Sequence, residues 1–351
     1  MLRKILLSFL VIILALVIWQ WSLVSYGVRM GYGQLKIVWN AKPVETFIND
    51  PSFPDSLKAK LHFIDEVRKY AIDSLGLKDT ENYKTMYDQH GEELMWVVQA
   101  CEPFELKTKL WHFPVVGDLP YKGFFEKEKA LAERKRLMNE NYDVSVRNPG
   151  GWSTLGWFTD PILSEMLNRS EGDLAGLIIH EMVHSTIFIK DNADFNENLA
   201  SFIGDTAAYY FLANKYGKTS KQYTQYLHED QDYRTYSRHI LRGTKSLDSL
   251  YHTFGSSDSF DSKKEKKKQM IQKIVNSIDT LSLFEKRKTS GWLPNNTYFM
   301  SFHLYQSKQK DFGEELNQKF QGDLKGYIRY LSENESTVAT PVILGKKFKT
   351  K

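Results

Sequence analysis

The chain has 351 residues, long enough for one large domain or two ordinary ones with a real core. Its 42% hydrophobic and 26% charged residues exclude a disordered chain and a polytopic membrane protein, and 47 basic against 43 acidic residues leave only +4, too little to argue for nucleic acid. Cys101 is the one cysteine, which excludes an intrachain disulfide framework, zinc ribbons and iron–sulfur centres, so any bound metal must be held by histidines and carboxylates.

Met1-Leu2-Arg3-Lys4 leads into an apolar run over residues 5–19, which reaches residue 24 if Gln20 and Ser22 are tolerated. About 20 helical residues at ~1.5 Å each cross a hydrocarbon core of ~30 Å. The run therefore predicts an uncleaved membrane anchor over residues 1–27, with Arg3 and Lys4 keeping its start cytoplasmic and Trp19, Trp21 and Tyr26 at the interface. Residues 28–351 would then form the extracytoplasmic domain of a single-pass protein, on the periplasmic or cell-surface side. Cleavage as a signal peptide near Ser25-Tyr26-Gly27 is the alternative, although the run exceeds the usual apolar core of about 7–15 residues.

Residues 33–76 carry Leu61, Ile64, Val67 and Ile72 at helical spacing, divided into two helices by Pro51 and Pro54. From Glu93 the composition turns β-like. Residues 95–98, 110–113, 142–146 and 153–158 read as strands, around a charged amphipathic helix at 125–138. Beyond Pro161 the pattern is almost wholly helical. Strands first and helices after predict an α+β fold, with a small β-containing lobe at about 30–160 and a helical lobe at about 161–345. Residues 256–268 read as a solvated connection, whose lysine run over 263–268 is an exposed face or, as the sharper alternative, a contact for anionic lipid or polymer. The lysine-rich tail reads as frayed.

The chemistry is carried by residues 174–184, an apolar helical stretch that ends in His180-Glu181-Met182-Val183-His184. Histidines four apart project from one helix face and can share an ion. Glu181 lies beside that face, where its carboxylate can reach a nucleophilic water without ligating the metal. This is the H-E-x-x-H arrangement of two zinc ligands and a general base. Two histidines merely satisfied in a core would leave the carboxylate between them unexplained, since a buried unpaired carboxylate is costly.

Zinc needs a third protein ligand and one open position. Ile187 and Lys190 stand where a metzincin would carry Gly and His, and no histidine follows before His228, which leaves Asp191, Asp194 and Glu197. Glu197 opens a second buried helical pattern that runs to about residue 212, and it faces the histidines if the two helices are antiparallel. The competing reading is a capping box, with Asp194 as N-cap and Glu197 at N3. A pair of histidines alone would bind zinc poorly, which favours one Zn2+ per chain on His180, His184 and Glu197.

With Asn196-Glu197-x-x-Ala200 added, the arrangement resembles the gluzincins and, more closely, the bacterial predicted zinc-dependent aminopeptidase family. The similarity extends through Gly117, Tyr121, Lys122, Gly123 and Phe125, through residues 153–158 with Asp160-Pro161, and through Asn295-Asn296 followed by Tyr305. The resemblance implies a zincin-like domain that removes N-terminal residues from peptides, with Glu181 as general base and Tyr305 as an added donor to the developing oxyanion. Two alternatives stand beside it: a zinc endopeptidase acting on envelope proteins or peptides, and a non-catalytic anchored zinc-binding protein, against which the intact Glu181 argues. The expected partners are a peptide substrate and, through the N-terminal helix, a membrane, with no nucleic acid. Residues 153–158 would offer an edge strand to substrate backbone. Ser201 stands where thermolysin-like enzymes carry an aspartate behind the zinc histidines, which leaves Asp205, about two turns beyond Glu197, as the substitute.

Overall fold

The computed structural model describes residues 2–113, 117–149, 159–287, 289 and 291–334. In chain order it contains α1 (Leu2–Trp19), α2 (Trp21–Asn40), β1 (Lys42–Pro43), α3 (Val44–Ile48), α4 (Asp55–Asp73), β2 (Thr85–Tyr87), β3 (Trp96–Cys101), β4 (Trp111–Phe113), β5 (Gly117–Leu119), β6 (Lys122–Phe124), α5 (Lys127–Asn139), β7 (Asp143–Arg147) and β8 (Ile162–Leu163). Then come α6 (Glu171–Thr186), α7 (Ala193–Tyr216), α8 (Lys221–His252), α9 (Phe260–Asn276), α10 (Asn296–Gln306), α11 (Gln309–Phe320) and α12 (Leu324–Asn334). The structure is 64% helical, which corrects the α+β expectation. The β-like composition does form strands, but they are two to six residues long and pair in three small sheets, ordered β1-β2-β8, β6-β3-β7 and β4-β5. Strands this short brace helices and do not make a layer. The strand expected at 153–158 lies outside the described residues.

The N-terminal expectation is corrected as well. Among the described residues no helix is long and apolar enough to cross a membrane. The apolar run divides at Gln20, where α1 ends and α2 begins. Behind Arg3 and Lys4, α1 keeps only the 15 residues of 5–19, or about 22 Å at the helical rise, short of a ~30 Å core. The second helix carries Arg29 and Lys36 and buries Gly33, Gln34 and Ile37. Tyr26 leaves the supposed interface: its hydroxyl donates to the Gly123 carbonyl at 3.0 Å, and its ring stacks on Phe113 at 5.6 Å. Gly33 lies so close to the Phe125 ring that a Cβ would fall 2.1 Å from it. The second helix is thus part of the folded body, and the anchor at 1–27, with the single-pass extracytoplasmic placement that rested on it, falls with the span.

The main core gathers α4, α6, α7, α11 and α12 around Ile64, Met86, Ile178, Ile179, Ala207 and Tyr327. Helix α6 starts where Ser170 Oγ accepts from the Asp173 amide at 3.2 Å, and Glu171 and Asp173 in its first turn suit the positive end of the dipole. Helix α7 starts at Asn192, whose side chain accepts from the Phe195 amide at 3.2 Å. The six residues joining them are tied by Asn196, which accepts from the Ile189 amide (2.9 Å) and donates to the Ile189 carbonyl (2.8 Å). So short a connection forces the helices antiparallel. They approach closely at Gly204 and Gly176, where a Cβ on Gly204 would stand 2.7 Å from the Gly176 carbonyl oxygen.

The 256–268 expectation is corrected in part. Residues 260–276 are the helix α9, and Lys267 is buried against Asp143, with its ammonium donating to the Pro103 carbonyl at 2.8 Å. The same Asp143 carboxylate accepts from the Asn296 amide at 2.8 Å, while Asn295 Nδ2 donates to the Val144 carbonyl at 3.1 Å. These bonds fasten the start of α10 to β7. At its other end, buried Asn198 on α7 donates to the Leu304 carbonyl (2.7 Å) and accepts from the Lys308 amide (2.9 Å). Tyr305 therefore lies between two clamps.

Candidate metal centre

The antiparallel α6–α7 pair brings His180, His184 and Glu197 together. His180 Nε2 and His184 Nε2 are 3.1 Å apart, and Glu197 Oε2 is 3.3 Å from the first and 3.5 Å from the second. Ligands on a tetrahedral cation with bonds of ~2.0–2.1 Å are separated by roughly 3.3 Å. The three donors have that spacing, and among the described residues they form the cluster able to hold a metal ion. The capping alternative meets a different geometry. Asn192 is the N-cap, which places Glu197 beyond the first turn, and Asp194 pairs instead with His303 (3.3 Å) and Lys308 (3.1 Å). Asp191 is turned away too, in a left-handed conformation with φ 59°, and its Oδ1 accepts from the Asp118 amide at 3.1 Å.

The electrostatics follow from burial set against neighbours. Burial would raise the Glu197 carboxyl, but the two imidazoles outweigh it and hold it well below its usual range. Burial would lower His184, yet the charge and hydrogen bond of Glu197 leave it raised. Glu181 is raised by burial, partly offset by the histidines. Behind the ligands, Ser201 Oγ lies 3.5 Å from His180 Nδ1, and His184 Nδ1 is buried with no hydrogen-bond partner among the described residues. Asp205 lies farther along the groove. Burial and then the nearby Asp230 charge push its carboxyl up to about 7.

All of these groups line one cleft of about 820 Å³. Its lining includes aromatic and apolar side chains, Tyr26, Met95, Phe113 and Tyr121, and the acids Asp173, Asp205, Glu229 and Asp230. The acids are unequally compensated: Asp173 pairs with Arg169 at 2.6 Å and Asp230 with Arg234 at 2.6 Å. Tyr305 also reaches the cleft, with its ring centroid 6.5 Å from that of His180. Sequence reasoning missed Arg147, the acids Asp173, Glu229 and Asp230, and Tyr121 as a cleft residue. The alternating 142–146 pattern could have pointed to Arg147, since a strand that continues by one residue puts it at the mouth of the sheet.

A cleft with two imidazoles, a carboxylate and an adjacent buried glutamate defines a candidate metallohydrolase centre. Over residues 25–339 the chain matches the family described as "Putative aminopeptidase", and it belongs to that family. The family points to peptide hydrolysis. No curated protein and no solved structure matches the chain.

Proposed function

We propose that the protein is a zinc-dependent aminopeptidase whose ion is held by His180, His184 and Glu197. The observation that carries this reading is the convergence of those three donors at tetrahedral spacing, 3.1, 3.3 and 3.5 Å apart, in the lining of the cleft. Zinc bound there would polarise the scissile carbonyl and bring the attacking water's pKa toward ~7. Glu181 takes that water's proton and later passes it to the leaving amine, a role suited to a carboxyl whose burial makes it hold protons more readily. Tyr305 donates its hydroxyl to the carbonyl oxygen as charge develops there. The carboxylates of Asp173, Glu229 and Asp230 along the same cleft support a substrate with a free amine over an internal segment of a longer chain.

The test is metal analysis of the full chain, with digestion of unblocked and N-acetylated peptides. The reading expects about one zinc per chain and stepwise release of N-terminal residues from unblocked peptides alone. Equal cleavage of both sets would transfer the case to an endopeptidase. Bound zinc with no cleavage of either would favour a non-catalytic zinc-binding protein.

A further inference from the structure

Tyr305 needs something to aim its hydroxyl, and Arg147 is placed to do so. Arg147 ends β7, opposite Val97 of β3, and its Nε donates to Gln99 Oε1 at 3.2 Å, with Gln99 itself only 5% exposed. The sheet thus holds the guanidinium at the cleft, which Arg147 lines together with Tyr121, Glu197 and Tyr305. The bonds of Asn295 and Asn296 to β7 bring Tyr305, on α10, to the same place. Two other arginines that line the cleft are engaged: Arg169 pairs with Asp173, and Arg287 lies 4.2 Å over the Tyr236 ring. Arg147 has no ion-pair partner among the described residues. Its positive charge also acts on the Tyr305 phenol, against the upward push of burial and of Glu197.

A guanidinium has donors and no acceptor. Where Arg147 meets the Tyr305 oxygen, that oxygen must accept, so the phenol proton is left to point elsewhere. A nearby positive charge also makes the phenol a stronger donor. We propose that Arg147 is a positioning residue that turns the Tyr305 hydroxyl into a donor aimed at the carbonyl oxygen of a bound peptide. The inference rests on the peptidase reading above, and it adds a residue of the β6-β3-β7 sheet to the chemistry of the α6–α7 pair.

The experiment has two arms on the full chain. The first uses zinc-free protein labelled with 13Cζ-tyrosine, in which the Tyr305 signal is assigned by its loss in Tyr305→Phe. Arg147→Met moves that signal, and Arg147→Lys, which keeps the charge without the planar fork, moves it less. An unmoved signal in both overturns the pairing, whether or not any peptide is cleaved. The second arm is a double-mutant cycle on the zinc-loaded enzyme. Tyr305→Phe lowers kcat about 100-fold, as loss of an oxyanion donor does, and Arg147→Met lowers it about tenfold with KM within about twofold. The double variant falls no further than Tyr305→Phe alone. Additive losses, or a raised KM with kcat unchanged, overturn the proposal, since Arg147 would then act on its own or hold substrate itself. If Arg147→Met does not fold, Arg147→Lys is read in the same cycle against the same outcomes. A moved signal with no hydrolysis by the wild type sinks the peptidase reading, and with it the aim at a carbonyl, while leaving the contact in place.

Discussion

Glu197 and Asp205 lie eight residues apart on α7, about 12 Å along one face, and both line the same cleft, yet their carboxyls are driven in opposite directions. Burial raises both. At Glu197 two imidazoles reverse it, so that end of the helix holds a negative charge. At Asp205 the nearest strong influence is another carboxylate, Asp230, and Arg234 only partly offsets it, so that end keeps its proton up to about pH 7. Desolvation supplies the cost, and the sign of the neighbour decides which form survives it. One helix thus presents an anionic end fit for a cation and a protonated end two turns away, with Ser201 against His180 between them.

The sharpest way to break this comparison is to remove the proton carrier and leave the charged end intact. Glu181→Gln should keep about one zinc per chain and lose kcat by roughly 10²–10⁴-fold, the range of a positioned acid–base group. Near wild-type turnover in zinc-loaded protein would take the base role from Glu181. The charged end is tested next. Glu197→Gln preserves size and hydrogen bonding but not the negative charge, and zinc affinity should fall by more than the ~10–100-fold that loss of an outer partner costs. A zinc titration in which Glu197→Gln matches wild type would leave the histidine pair without its third ligand.

The close approach that would let the two helices share an ion can be tested by volume alone. A Cβ at Gly204 would meet the Gly176 carbonyl oxygen at 2.7 Å and the His180 backbone nitrogen at 3.3 Å, atoms that cannot swing aside. Gly204→Ala should therefore cost about 1–3 kcal/mol of stability and weaken zinc binding as His180 is pushed away. Gly176→Ala is the contrast, since its nearest neighbour would be the Tyr226 hydroxyl at 3.5 Å, an ordinary contact. It should be near neutral in urea unfolding. Equal losses at the two glycines would show that the helices are not in contact at Gly204.

The readability of these features from sequence follows their range. His180 and His184 are one turn apart, so helical geometry alone places them together, and Glu197 follows from a connection too short for anything but an antiparallel return. The competing capping box fails for a local reason: several side chains near that start can cap, and Asn192 takes the position because its oxygen reaches the Phe195 amide. Arg147 and Tyr305 reach the same cleft through strand register and helix docking between segments some 150 residues apart, and no local period carries that information. Summed hydrophobicity along the N-terminal run hides the break at Gln20 and the buried face of α2. Lys267 was hidden by its neighbours in the same way: Lys267, Ile271 and Ile274, at i, i+4 and i+7, are the buried stripe of α9 within a run whose average is strongly charged.

The smallest expected effect concerns the protonated end. Folded Asp205 titrates at about 7, against an ordinary carboxyl near ~4 in the unfolded chain. Between those values the native state holds a proton that the unfolded chain has released. The stability this confers is complete below about pH 4 and is lost as pH rises through 7, where the native carboxyl must ionise beside Asp230. Asn has the same shape and cannot ionise. Asp205→Asn should therefore match wild type near pH 4, gain on it progressively as pH rises, and be the more stable protein at pH 8. The gain is at most a few kcal/mol, because Arg234 already offsets part of the Asp230 charge and the carboxyl can relax toward the cleft. Thermal unfolding of both proteins across pH 4–8 reads the difference directly. A difference that is flat, or that grows toward acid, would mean Asp205 is ionised in the folded state, and the two ends of α7 would then be alike.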